Sequence, residues 1–276
     1  MIRRFLLFMI VTANFAFATG CLSGDRNAQT GIKDTRLPRH YICNRVSLPP
    51  TIDGRLNDKA WSRAEWSADF HDISGFGHPT PAYRTRMKMV WDDKYLYIAA
   101  DLEEPYVWAT LKKRDQIVFH DNDFEVFIDP NGDSREYYEI EINALNTIFD
   151  LFLVRTYLDG GPALHDWNMS GLRTAVHVRG TLNDASDIDE GWSIEMALPW
   201  RSLKEAAGCP TPPASGDVWR MNFSRVEWKH AIVDGRHTKV PETPEDNWVW
   251  SPQGVIDMHR PSRWGYVHFA DPSSKP

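Results

Sequence analysis

Glu125, Glu139 and Glu141 are the residues whose types and spacing lend themselves most directly to chemistry. They lie in two short runs, DFEVFID over 123–129 and YYEIEIN over 137–143. In each run apolar and polar residues alternate, the period-two pattern of a β-strand. Phe124, Val126 and Ile128 fall on one face of the first run, with Glu125 and Phe127 on the other. In the second, Tyr138, Ile140 and Ile142 point inward, leaving Tyr137, Glu139, Glu141 and Asn143 outward. A face that presents acids, an amide and a ring together suits a sugar. Carboxylates and amides exchange hydrogen bonds with vicinal hydroxyls, and aromatic rings cover the apolar C–H face of a pyranose. The same alternation also describes the solvated outer face of a half-buried sheet. Residues at i and i+2 on a strand lie about 6.5–7 Å apart, so two of these acids could also serve as the acid and base of a glycosidase.

Other chemistries leave no trace. The chain has no G-x-S-x-G, no P-loop, no H-E-x-x-H and no G-x-G-x-x-G. Its ten histidines are scattered without metal-ligand spacing. Two acidic stretches offer clustered oxygens of the kind calcium takes: Asp121-Asn122-Asp123 and Asp129-Pro130-Asn131-Gly132-Asp133. The second departs from an EF-hand loop, with Ser134 where Gly is needed and Ile140 where the bidentate Glu would stand, and reads as a plain turn. Asp121 and Asp123 are therefore the candidate ligands for a structural calcium. No other cofactor is indicated.

The elements that must position these residues are all strands. Residues 84–91 alternate Met87, Met89 and Trp91 against Arg86, Lys88 and Val90, Asp92-Asp93 makes a turn, and residues 94–101 return. Further strands are predicted over 147–154, 173–179, 192–197, 218–226 and 265–269. Helical periodicity is nearly absent, with single turns near 57–65 and 200–206. About ten strands at this spacing predict one antiparallel β-sandwich over residues 41–276, with no second domain. Trp61, Trp91, Trp192 and Trp264 sit at apolar-alternating positions and are assigned to the core.

With 31 Lys+Arg against 38 Asp+Glu the formal charge is −7. An acidic chain without a basic cluster argues against a nucleic-acid partner. Residues 1–20 combine Arg3 and Arg4 with an apolar run from Phe5 to Phe17, the pattern of an export signal, and that run is too short to span a bilayer. Ala18-Thr19-Gly20-Cys21 is similar to a bacterial lipobox, which would make Cys21 a lipid anchor; an ordinary signal cleaved nearby is the alternative. Residues 21–40 are polar and aperiodic and read as a tether, which places the domain at the cell envelope, as an outer-membrane lipoprotein or in the periplasm. In that oxidising setting Cys43 and Cys209 either form a disulfide or stay as two buried thiols.

Four motifs carry a resemblance. Pro50-Thr51-Ile52-Asp53-Gly54-Arg55-Leu56-Asn57-Asp58-Lys59-Ala60-Trp61 resembles the opening of family 9 carbohydrate-binding modules. Trp91-Asp92-Asp93-Lys94-Tyr95-Leu96-Tyr97-Ile98 is similar to that family's next hairpin, Asp123–Asp129 to its central strand, and Arg260-Pro261-Ser262-Arg263-Trp264-Gly265 to its last-strand entry. Together they span roughly residues 45–270, in order. Tyr137–Asn143 and residues 220–228, with Arg225 among them, resemble a branch of stand-alone secreted proteins. The resemblance implies a sandwich of the DOMON/CBM9-like kind that binds oligo- or polysaccharides, that accompanies glycoside hydrolases in polysaccharide catabolism and that can hold structural calcium. It places Glu125 at the family's sugar-contacting acid. The two Trp that clamp a sugar in its best-understood modules are replaced by Phe119 and Met258, and a family Arg by Glu141. Trp167, Trp228 and His259 are then candidate contacts on the same rim, beside Glu139, Asn143 and Arg225.

The leading expectation is thus a glycan-binding protein with no catalysis of its own. A glycoside hydrolase using Glu125 with Glu139 or Glu141, and a structural docking sandwich, are the alternatives.

Overall fold

The computed structural model describes residues 38–273, together with the backbone of Leu22–Ser23. The leader, the proposed lipidation site Cys21 and most of the 21–40 tether lie outside the described residues. In chain order the strands are β1 (Leu22–Ser23), β2 (His40–Arg45), β3 (His71–Asp72), β4 (Thr85–Trp91), β5 (Tyr95–Glu103), β6 (Asp123–Asp129), β7 (Tyr137–Asn143) and β8 (Ile148–Leu153). There follow β9 (Ala163–Leu164), β10 (Arg173–Arg179), β11 (Gly191–Pro199), β12 (Asp217–Glu227), β13 (His230–Val233), β14 (Arg236–Lys239), β15 (Asp246–Val249) and β16 (Gly265–Ala270). The two predicted helical turns are a 3₁₀ turn, Lys59–Arg63, and one α turn, Trp200–Leu203.

The main strands form one hydrogen-bonded path, β10-β11-β5-β4-β2-β16-β12-β6-β7-β8-β9, that curls over on itself. Its two halves face each other as a sandwich. Met87, Met89, Ile98 and Ile194 from the first half meet Val126, Ile140, Met221 and Phe223 from the second in one core. The pairing is antiparallel except at β2, which runs parallel to both β4 and β16. That strand is the seam between the halves, and its parallel pairing departs from the purely antiparallel sheet expected. Cys43 lies on this seam, wholly buried and with a free thiol. Of the two outcomes left open for Cys43 and Cys209, the bridge between them is therefore not formed; Cys209 is disulfide-bonded, though not to Cys43.

The four tryptophans assigned to the core are buried, from 0% to 4% exposed. Trp61 shows how the opening motif works. Its indole Nε1–H donates to Glu195 Oε1 at 2.6 Å, and Glu195 Oε2 accepts the backbone N–H of Asp53 at 2.9 Å and of Gly54 at 2.8 Å. One carboxylate on β11 thus pins the whole loop. Gly54 has φ +83, and a Cβ there would come within 2.6 Å of the Val176 backbone, so only glycine fits. Removing the Trp61 ring should leave a cavity and strip Glu195 of a partner. Trp61→Ala is expected to cost about 3–5 kcal/mol in denaturant unfolding, and Trp61→Phe, which keeps most of the packing, about 2 kcal/mol. Wild-type stability in Trp61→Ala would contradict the assignment.

Candidate functional site

The two acid-bearing strands are neighbours, and their register stacks the acids in rows. Glu125 on β6 pairs directly with Glu141 on β7, flanked by Ser224 on β12 and Phe149 on β8. The next row runs Asn222, Phe127, Glu139 and Leu151. Asp123 pairs with Asn143 one row to the other side. Residues opposite one another in a ladder share a face, so Asp123, Glu125, Glu139 and Glu141 converge on the face turned away from the sandwich core.

That face is not solvated. Glu125 and Glu139 are 5% exposed and Glu141 2%. Loops fold over it and build a second apolar layer, in which Phe127, Tyr137, Phe149 and Leu151 pack with Val118, Met258 and Trp264. The half-buried outer sheet is therefore ruled out for these strands. Between loops and strands lies a cavity of about 370 Å³. Glu125, Glu139 and Glu141 line its floor, and Phe119, Tyr157, His165, Met258 and His259 its walls, with Ile117 and Ile256 at the rim. Ile117, Tyr157 and Ile256 are 40%, 50% and 73% exposed, an apolar lip around an acidic floor.

The loop before β6 is tied to the floor. Glu141 Oε2 accepts the backbone N–H of Phe119 at 2.8 Å, and Trp228 Nε1–H donates to the Phe119 carbonyl at 2.7 Å. Phe119 is thus held at the wall from both sides. On the opposite wall, His259 Nδ1 lies 3.0 Å from the Tyr137 hydroxyl and its Nε2 4.0 Å from Glu139. Burial lowers the His259 pKa to about 4, so the ring is neutral at pH 7 and offsets none of the negative charge. No Lys or Arg lines the cavity among the described residues.

The carboxyls respond to this enclosure. Desolvation raises Glu125 to about 7. Burial first, and then repulsion from Glu125 and from each other, pushes Asp123, Glu139 and Glu141 well above the ordinary carboxyl range.

Four predicted contacts fall elsewhere. Asn143 caps the β7–β8 turn, accepting the N–H of Leu145 and of Thr147 and donating to Leu111 O and to Asp121. Arg225 points to the opposite face and is wholly buried, bonded to Glu104, Glu227, Thr85 and the Glu103 carbonyl. Trp167 packs on Tyr138 and Phe152, both away from the cavity. Trp228 supports the Phe119 turn from behind, under the Lys239 ammonium 3.5 Å from its ring. Asp121, a candidate calcium ligand, is spent on protein donors: Thr110 N and Oγ1, Leu111 N and Asn143 Nδ2, all at 2.7–3.0 Å. The Asp129–Asp133 stretch is the plain turn predicted, with Asp129 accepting the N–H of Gly132 and of Ser134. Missed by the sequence reading were Tyr157, His165 and Ile256, whose loops carry no periodicity. Phe149 and Leu151 were legible as alternate residues of a predicted strand.

Residues 52–268 match the family model described as carbohydrate family 9 binding domain-like. The chain belongs to this family. Solved family 9 modules share its fold. One from Caldicellulosiruptor kristjanssonii, in complex with cellotriose, is 16% identical with a TM-score of 0.53, over 86% of this chain and 98% of that one. A candidate carbohydrate-binding protein from Bacteroides uniformis is 15% identical with a TM-score of 0.61, over 84% and 99%. The chain is also 28% identical over 167 residues to an endo-1,4-beta-xylanase A from Thermoanaerobacterium saccharolyticum, and 27% identical over 154 residues to the exoglucanase XynX of Acetivibrio thermocellus. These matches take in 60% and 56% of this chain but only 12% of each relative's length.

The carboxyl shifts set a pH dependence. A group whose folded pKa is raised binds its proton more tightly in the folded state. Its stabilising effect is present below the unfolded value, 4.5 for Glu, and is lost as pH rises through about 7. His259 and His268, both lowered to about 4, act oppositely but only below their ordinary value of 6.5. In buffer free of divalent cations the thermal midpoint should therefore fall between pH 6.5 and 8.5. Glu125→Gln should flatten that slope and raise the midpoint at pH 8.5. Asp129, raised to about 7 at the far end of β6, should leave a residual slope. An unchanged slope in Glu125→Gln would contradict the placement of Glu125.

Proposed function

We propose that the cavity over β6 and β7 binds a saccharide non-catalytically. The observation that carries this is the meeting of Glu125, Glu139, Glu141, Phe119 and His259 around one cavity of about 370 Å³, in a family 9 chain. Its walls supply ring faces for the C–H surface of a pyranose and its floor supplies acceptors for hydroxyls. The volume suits one or two sugar units and falls at the small end of ligand pockets. The solved relative's complex with cellotriose supports a β-linked glucan as first probe, and the xylanase matches support xylo-oligosaccharides as second.

The module-sized match to much longer hydrolases supports a role in polysaccharide catabolism beside such enzymes. Export to the cell envelope belongs to the same proposal and rests on the leader pattern. Lipidation of Cys21 is part of the same proposal, and the intact mass of the exported protein tests it.

Isothermal titration with cellotriose and xylotriose is expected to give a Kd of roughly 10⁻³–10⁻⁵ M, equivalent to about 4–7 kcal/mol. Glu125→Ala and Phe119→Ala should each weaken it tenfold or more, while Trp167→Phe, on the far face, should leave it unchanged. Binding untouched by the first two changes would remove the proposed site. The competing reading is hydrolysis by Glu125 with Glu141, favoured by the Glu125 pKa of about 7. It predicts release of new reducing ends from bound glycan; the binding reading predicts none.

A further inference from the structure

We propose that Asp123, Glu125 and Glu141 hold a divalent cation of the calcium type at the cavity floor, with one side of the ion open to the vicinal hydroxyls of a bound saccharide. The second part rests on the saccharide-binding reading; the first does not.

A ligand oxygen from each of these three residues lies within 4.8 Å of the other two. Oxygens bound at about 2.3–2.6 Å on opposite sides of one calcium stand roughly 4.6–5.2 Å apart, so a single ion can bridge all three without moving the strands. Two of the three acids, Glu125 and Glu141, belong to the cavity lining. Asp123 does not. It is wholly buried one row along the same strand face, and while Oδ1 accepts the Val226 N–H at 3.3 Å, Oδ2 is buried without any partner. An orphaned carboxylate oxygen costs the full penalty of its desolvation unless a cation meets it.

The described residues supply no such cation. The lining carries no Lys or Arg among the described residues, and Arg225 is committed to Glu104 and Glu227 on the opposite face. His259 reaches Glu139 only at 4.0 Å and is neutral at pH 7. An all-carboxylate oxygen set selects a hard ion over zinc, and spacing on two rigid strands suits calcium's longer bonds better than the tight octahedron of magnesium. Asp121, consumed by four protein donors, is not among the ligands, although its sequence neighbour Asp123 is. Glu125 and Glu141 line the cavity and Asp123 does not, so the side of the ion turned to the cavity is left for hydroxyl oxygens. Calcium of this kind favours sugars with two adjacent hydroxyls in reach.

The test uses the full chain, stripped with EDTA and titrated with calcium chloride in a calorimeter, beside Asp123→Asn and Glu141→Gln. Both changes keep shape and remove repulsion, so both variants should fold; circular dichroism checks this. The expected result is one calcium per chain, a thermal midpoint raised by calcium in the parent, and affinity lowered at least tenfold in each variant. No calcium binding by the parent, or equal affinity in the folded variants, would overturn the proposal. A second arm titrates cellotriose with and without calcium. Sugar binding that needs calcium supports the open position, and equal sugar binding in EDTA overturns that part. Calcium binding with no sugar binding at all would instead count against the saccharide reading and leave the ion site standing.

Discussion

Negative charge gathered in a dry place is the constraint around which this molecule is arranged. Asp123, Glu125, Glu139 and Glu141 share one face of two adjacent strands, and all are at most 5% exposed. Burying even one carboxylate costs several kcal/mol unless it is paired or protonated. Nothing in the sandwich core requires these acids, because the core is complete on the other face of the same strands. A purely structural second layer would be more stable with apolar residues there. The acids are therefore best understood as destabilised in the free protein for the sake of something the cavity takes in, in keeping with the clustering of perturbed groups at functional sites.

The rest of the fold serves that placement. The curled sheet fixes β6 between β7 and β12, so the register of acids is set by ladder bonds rather than by loops. The loop that carries Phe119 is locked from below by Glu141 and from behind by Trp228. The wall that carries His259 is held by Tyr137 and by Arg260, whose Nε donates to Asp257. Two walls standing on a rigid floor make a preformed notch, and a preformed site saves the ordering cost that weakens flexible ones.

Most of the architecture was legible in the sequence because strands announce themselves by a period of two. The runs 123–129, 137–143 and 173–179 coincide with observed strands, and the acids were correctly placed on one face. What the pattern could not show was that this face is covered. Cover comes from residues 117–120 and 256–259, which have no periodicity and reach the sheet only through long-range contacts. For the same reason Asn143, Arg225, Trp167 and Trp228 were misread. Each has the right chemistry and lies close by in sequence, but three are consumed by structural hydrogen bonds or ion pairs and Trp167 packs on the wrong face. The parallel seam at β2 was invisible because alternation carries no information about strand direction. The state of Cys43 stayed open in the sequence because an oxidising setting says that a bridge can form, not that geometry brings the sulfurs together.

The central claim is that the acidic floor between β6 and β7 is where a ligand rests. Crystals of the full chain soaked with cellotriose and calcium test it most directly. The account predicts density in the cavity, with sugar oxygens or a bound ion in direct contact with Glu125 and Glu141 and a ring face against Phe119. Ligand density seated on another surface, with the floor carboxyls touching only each other, would contradict it.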